Sequence, residues 1–187
     1  INRIVVYGQV TKNLLFNEEV FDTLEKAALN RKEKEKLEYL KTVDSIGQKE
    51  IMTLAGLIRS RTQGYNTKNG GKTPMGKIIF GLLTSPDYTR KDFKAVVING
   101  TRKNQSLFQG LIHIDLRSTL AGITIPYWIM QGDTDIVTST KYIESFIKES
   151  GNKNLRFTVV KNSGHVPGGD GMAYIIEKGF AFFRSGQ

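Results

Sequence analysis

"IPYWIMQGDTDIVTSTKYIESFI", residues 125–147, decides the fold. Its first six residues, 125–130, are apolar with one proline among them, and they predict a buried strand. The strand stops at Gly132-x-x-Asp135, and helical spacing takes over across 139–149. The same order returns in "LRFTVVKNSGHVPGGDGMAYIIEKGFAFF", residues 155–183. A strand over 155–160 leads into a Gly-rich loop and then a helix over 171–183. Met172, Ile175, Ile176, Gly179, Phe180 and Phe183 form one apolar stripe on that helix. Strands alternating with helices predict right-handed βαβ units and a parallel sheet, an α/β class. Such sheets bind ligands beyond the carboxyl ends of their strands. Asp135 sits in one strand-end loop (132–135) and His165 in the other (161–169).

Upstream, "RIVVYGQV" (3–10) reads as a short strand, apolar on both faces as a strand inside a parallel sheet is. Residues 11–124 read as mostly helical. Asn17 can cap a helix whose first turn carries Glu18 and Glu19, with Val20, Phe21, Leu24, Ala27 and Ala28 on its inner face. "RKEKEKLEYLK" (31–41) mixes charge signs as an exposed helix face does. Ser45 and Gln48 predict a capping box before a helix buried through Ile51, Leu54, Ala55 and Ile58. "TQGYNTKNGGKTP" (62–74) reads as a polar loop, and helices follow over 75–83, 89–98 and 105–113.

The chain's 187 residues suffice for one domain with a sizeable core, or a core plus a smaller lobe. Apolar residues make up 39% and charged residues 24%, the balance of a globular protein. No apolar run approaches the ~18 residues of a membrane span, and no secretory leader is visible. Zero cysteines exclude disulfides and thiolate metal sites, and suit a reducing cytoplasm. The net charge of +9 is uneven: residues 1–124 hold 20 Lys/Arg against 12 Asp/Glu. No stretch interleaves basic and aromatic residues as a nucleic-acid groove does, so a solvated basic lobe is the favoured reading. Two histidines, no cysteine and no H-x-x-x-H argue against a zinc site, and "GHVPGGDG" lacks the phosphate-cradling pattern. No metal and no cofactor are expected.

A carboxylate and an imidazole on adjacent strand-end loops can meet. The acid then fixes the histidine tautomer, and the second ring nitrogen takes a proton from a nucleophile. Asp133 is the rival for the acid. Ser163, two residues before His165, is expected to bond the backbone rather than react. Gly8 and Gln9 end the first strand beside this place; lining a pocket and making a strand-end turn explain them equally. His113, in "LIHIDLR", is expected to be packed among apolar residues, with substrate contact the lesser alternative. Trp128 reads as core.

The strand running into Gly132-x-x-Asp135 and the strand running into Gly164-His165 resemble the last third of an α/β-hydrolase. "SPDYTRKDF", "DLRSTLAGITIPYWIMQG" and "VVYGQVTKN" resemble the cap, return segment and cap-entry strand of its proline-iminopeptidase-like branch. The resemblance implies a core strand over 1–10, a helical cap and return segment over 11–122, and a C-terminal α/β core over 123–187. It implies Asp135 as triad acid and His165 as base. It also implies cleavage of an ester or amide, with peptides bearing a free N-terminus, proline among them, as the substrate class. The departure is the nucleophile: no G-x-S-x-G and no His-Gly-Gly loop occur in these residues. The expectation is that it lies upstream of Ile1, on the N-terminal half as a missing or separate chain. Failing that, two copies would join across the first strand. The rival class is a non-catalytic basic binding module on a hydrolase-like scaffold.

Overall fold

The structure, a computed structural model, describes residues 2–12, 15–68 and 75–185. Strand β1 (Ile4–Tyr7) is followed by helices α1 (Glu18–Glu25), α2 (Arg31–Thr42), α3 (Gln48–Lys68) and α4 (Met75–Thr84). Next come α5 (Arg90–Phe93), a π-helical segment (Lys94–Ile98), α6 (Asn99–Lys103), α7 (Gln105–Ile112) and α8 (Arg117–Ala121). Strand β2 (Tyr127–Gly132), α9 (Thr140–Ser150), β3 (Leu155–Val160) and α10 (Gly169–Arg184) complete the order. Among the described residues the chain is mixed α/β, and three strands form a parallel sheet in the order β1-β2-β3. Ile4 stands opposite Tyr127, and Tyr127 opposite Leu155.

Side chains alternate across a strand, so β2 feeds both faces of the sheet. Trp128 and Met130 pack with Val160, Val5, Tyr7, Ile175 and Phe182 beneath α10. Trp128 is buried as expected, its ring edge-on to Phe182 with centroids 5.3 Å apart. On the other face Tyr127 meets Leu120, Phe146, Leu155 and Ile147. Covering both faces accounts for the unbroken apolar run of 125–130. Gly151 ends α9 in the left-handed conformation at φ +60°, and Asn152 then donates to the carbonyls of Leu120, Ala121 and Ile123.

The helical stretch leaves and re-enters at one neck, where Leu116 N–H donates to Thr11 O and the backbones of Lys12 and Asp115 form an isolated antiparallel β-bridge. It has its own core of Val20, Leu24, Leu37, Leu40, Leu54, Leu57 and Ile58, which Ile136 joins from the loop after β2. Asn17 caps α1 as expected, accepting from Val20 N–H at 3.0 Å.

Three local expectations are corrected. The cap before α3 is Gly47, not Ser45: Gly47 N–H donates to the Glu50 carboxylate at 3.0 Å, and Ser45 lies too early. The loop placed at 62–74 is helical through Lys68, while 69–74 lie outside the described residues. Extending a formed helix gains one hydrogen bond per residue, which offsets the ~1 kcal/mol cost of Gly64. Finally, the stripe on α10 is split. Ile175 and Phe182 face the sheet with Gly179, whereas Met172, Ile176, Phe180 and Phe183 are exposed.

Among the described residues, no helix is long and apolar enough to cross a membrane.

Candidate functional site

The site forms where β2 and β3 end. Asp135 is closed off from solvent at 1% exposure, and its carboxylate is caged. Oδ1 accepts the backbone N–H groups of Val137 and Thr138, each at 3.0 Å. Oδ2 accepts from the Thr138 hydroxyl at 2.7 Å and from Gln131 Nε2 at 3.1 Å. His165 Nδ1 completes the shell, 3.2 Å from Oδ2. A buried carboxylate needs such partners, because each unmade bond leaves the desolvation cost uncompensated.

What brings His165 to this place is a backbone zipper between the two loops. Asp133 accepts the N–H groups of Asn162 and Ser163 at 2.9 and 3.0 Å. Thr134 N–H donates to Ser163 O at 3.1 Å, and its hydroxyl to the same oxygen at 3.0 Å. From β1, the Tyr7 hydroxyl donates to Gly164 O at 2.5 Å. The loops approach so closely that a Cβ on Gly132 would overlap Ser163 O and lie 2.6 Å from the Tyr7 hydroxyl. Gly8 turns at φ +71°, and a Cβ there would lie 3.4 Å from the His165 ring.

The His165 side chain is 43% exposed, and among the described residues none bonds its Nε2. Partial desolvation disfavours the imidazolium. The hydrogen bond to Asp135 and its charge outweigh that penalty, so the His165 pKa is raised above 6.5. Tyr7 is pushed well above its ordinary value by burial first and by the nearby Asp135 charge second. It is therefore a neutral donor here.

Of the residues singled out in the sequence, Asp135 and His165 meet, and Asp133 serves the loop backbone instead. Ser163 is fully buried and its hydroxyl donates to Lys161 O, as a backbone-bonding serine does. Gly8 borders the imidazole. Gln9 contributes its N–H to Gln131 Oε1 at 3.1 Å, while its side chain turns away to Tyr127 and Val10. His113 is exposed at the C-terminal end of α7 rather than packed, and none of the hydrogen bonds around Asp135 among the described residues reaches it. α7 buries its last residue, Ile112, and His113 follows it as the non-helical cap, outside the face that the helix turns inward.

Sequence reasoning passed over Gln131, Thr138 and Tyr7. The structure supplies the signal: β2 runs on to Gly132, so Gln131 is a polar residue fully buried inside a strand, a position that demands partners. Among the described residues no group of three or more His, Asp or Glu side chains is placed to hold a metal ion. Compared with known proteins, the chain matches no family model, no curated protein and no solved structure.

Proposed function

We propose that Asp135 and His165 are the acid and base of a serine-type α/β-hydrolase that cleaves an ester or amide through an acyl-enzyme. The observation that supports this reading is the 3.2 Å approach of a buried, fully hydrogen-bonded carboxylate to Nδ1 of an imidazole whose other nitrogen is open. Nε2 takes the proton of the nucleophile as it attacks the carbonyl carbon. The same proton then goes to the leaving group as the acyl-enzyme forms, and water completes the cycle with His165 as base again. Asp135 holds the ring and stabilises the imidazolium.

The nucleophile comes from a segment outside these 187 residues, on a strand added to the open edge of β1. Among the described residues β1 pairs with β2 alone, and α10 beside it exposes Met172, Ile176, Phe180 and Phe183. A strand and helix of the nucleophile-bearing half suit both features, since open strand edges are ordinarily paired or hidden. The helical stretch between Thr11 and Leu116 acts as the cap, and aminoacyl or prolyl peptides are its substrate class. The cysteine-free sequence suits a reducing cytoplasm.

Treatment with a serine-directed fluorophosphonate tests the reading. None of these residues becomes labelled, whereas the chain joined to its nucleophile-bearing half is labelled at a serine of that half. Stoichiometric labelling inside these residues overturns the assignment.

A further inference from the structure

The acid site contains one hydrogen-bond chain whose every direction is fixed by chemistry. It starts at Gln9 N–H, a backbone donor that cannot accept. That group bonds Gln131 Oε1 at 3.1 Å. The amide nitrogen of Gln131 therefore lies at the other end, where it bonds the Thr138 backbone carbonyl, which cannot donate. Two independent constraints thus set an amide orientation that is otherwise open to a flip. Nε2 also donates to Thr138 Oγ1 at 2.6 Å and shares an N–H with Asp135 Oδ2 at 3.1 Å. Because Nε2 cannot accept, Thr138 Oγ1 is the acceptor there. Its own proton is left for Asp135 Oδ2, 2.7 Å away.

The consequence falls on His165. Nδ1 faces Asp135 Oδ2 at 3.2 Å and Thr138 Oγ1 at 3.5 Å. Both oxygens offer lone pairs in its direction, so Nδ1 must carry the proton. The neutral ring is then held with its lone pair on Nε2, the form a free imidazole populates less. Gln131 is fully buried and bonds Gln9, just beyond β1, and two members of the acid loop at once, Asp135 and Thr138.

We propose that Gln131, acting through Thr138, is a positioning residue: it keeps the Thr138 proton on Asp135 Oδ2 and so holds in place the carboxylate that fixes the tautomer in which His165 waits. The proposal rests on the Asp135–His165 pairing described above. The other charges nearby are otherwise engaged. Asp133 is turned to the N–H groups of Asn162 and Ser163, and Glu19 of α1 bonds the Ser139 hydroxyl. The β1 side presents the Tyr7 phenol, neutral and committed to Gly164 O.

The test is long-range 1H–15N NMR of the imidazoles in the whole chain, followed against pH. In the unaltered chain, His165 is expected as the Nδ1–H tautomer with a raised pKa, and Asp135→Asn abolishes both features. Gln131→Leu and Thr138→Val each move the neutral ring toward the Nε2–H form and lower the pKa, while Thr138→Ser keeps the unaltered pattern. Loss of tautomer control in Thr138→Val with rescue in Thr138→Ser supports the proposal even where Gln131→Leu fails to fold. If Asp135→Asn changes the ring but Gln131→Leu and Thr138→Val leave it unaltered, the pairing stands and the positioning role is overturned. A ring in the Nε2–H form that ignores Asp135→Asn overturns the pairing, and the proposal with it.

Discussion

Gly132 and Ser163 stand back to back, the backbone of one strand end against the carbonyl of the next loop, with no space for a methyl group between them. The Thr134 amide and hydroxyl bond that same carbonyl. Gly132→Ala therefore forces apart the two loops that carry Asp135 and His165. The expected cost is roughly 1–3 kcal/mol, as for other overpacked sites. Urea unfolding checks it: the midpoint falls with an unchanged slope, and the His165 ring signals move. A midpoint equal to that of the parent chain shows that the loops part without cost.

Ile136 follows the acid directly, yet its side chain belongs to the helical lobe, where it is 8% exposed beside Val20, Leu24 and Leu54. Asp135 is thus anchored on one side by the sheet and on the other by the lobe core. Ile136→Ala is expected to cost about 2–5 kcal/mol, the range for buried Ile truncations. Hydrogen exchange locates the effect: protection drops in α1 and α3 as well as in the acid loop. Loss confined to the loop speaks against the lobe anchor.

The raised pKa of His165 gives stability a definite pH dependence. The fold favours the protonated ring, so this contribution is fully present below the unfolded value near 6.5 and is lost as pH rises through the folded value. Activity runs the opposite way, because the base must be neutral to accept a proton. Urea midpoints collected between roughly pH 5 and 8 should decline on the alkaline side of that window. Asp135→Asn should remove the decline. An unchanged slope in that variant assigns the effect to another group.

The exposed row Met172, Ile176, Phe180 and Phe183 recurs at three- and four-residue spacing on α10. Alone in solution, a chain with this face and an open β1 edge is expected to self-associate. Light scattering after size exclusion should give a mass above 21.0 kDa, reduced to that value by Ile176→Lys with Phe180→Lys. A parent chain that elutes as a 21.0 kDa monomer rules out the need for a covering partner.

The parallel sheet and the positions of Asp135 and His165 were legible because apolar runs ending in glycine report strands and their exits. The face that α10 turns inward was not. Its sequence carries two apolar rows, 175/179/182 and 172/176/180/183, and periodicity alone does not choose between them. The glycines do: Gly171 meets Ser163 and Gly179 approaches Val5, so the close-packed side is the one lined by small residues. Gln131 was hidden for a different reason. In the sequence it looks like the polar end of a strand, and only the pairing of Gln131 with Val159 shows the strand continuing past it. His113 differs from its expectation because the helix ends one residue before it: Ile112 is buried, and the cap that follows is exposed.

The most direct test is kinetic, on the chain joined to its nucleophile-bearing half, using a p-nitrophenyl ester and an aminoacyl p-nitroanilide. His165→Ala and Asp135→Asn should each lower kcat by roughly 10³–10⁶, with small changes in KM, as expected for members of one catalytic unit. Asp133→Asn, which alters only the loop zipper, should leave kcat within about tenfold of the parent, since it touches no reacting group. Full activity in Asp135→Asn together with a collapse in Asp133→Asn would contradict the assignment of the acid. Undiminished turnover in His165→Ala would contradict the account as a whole.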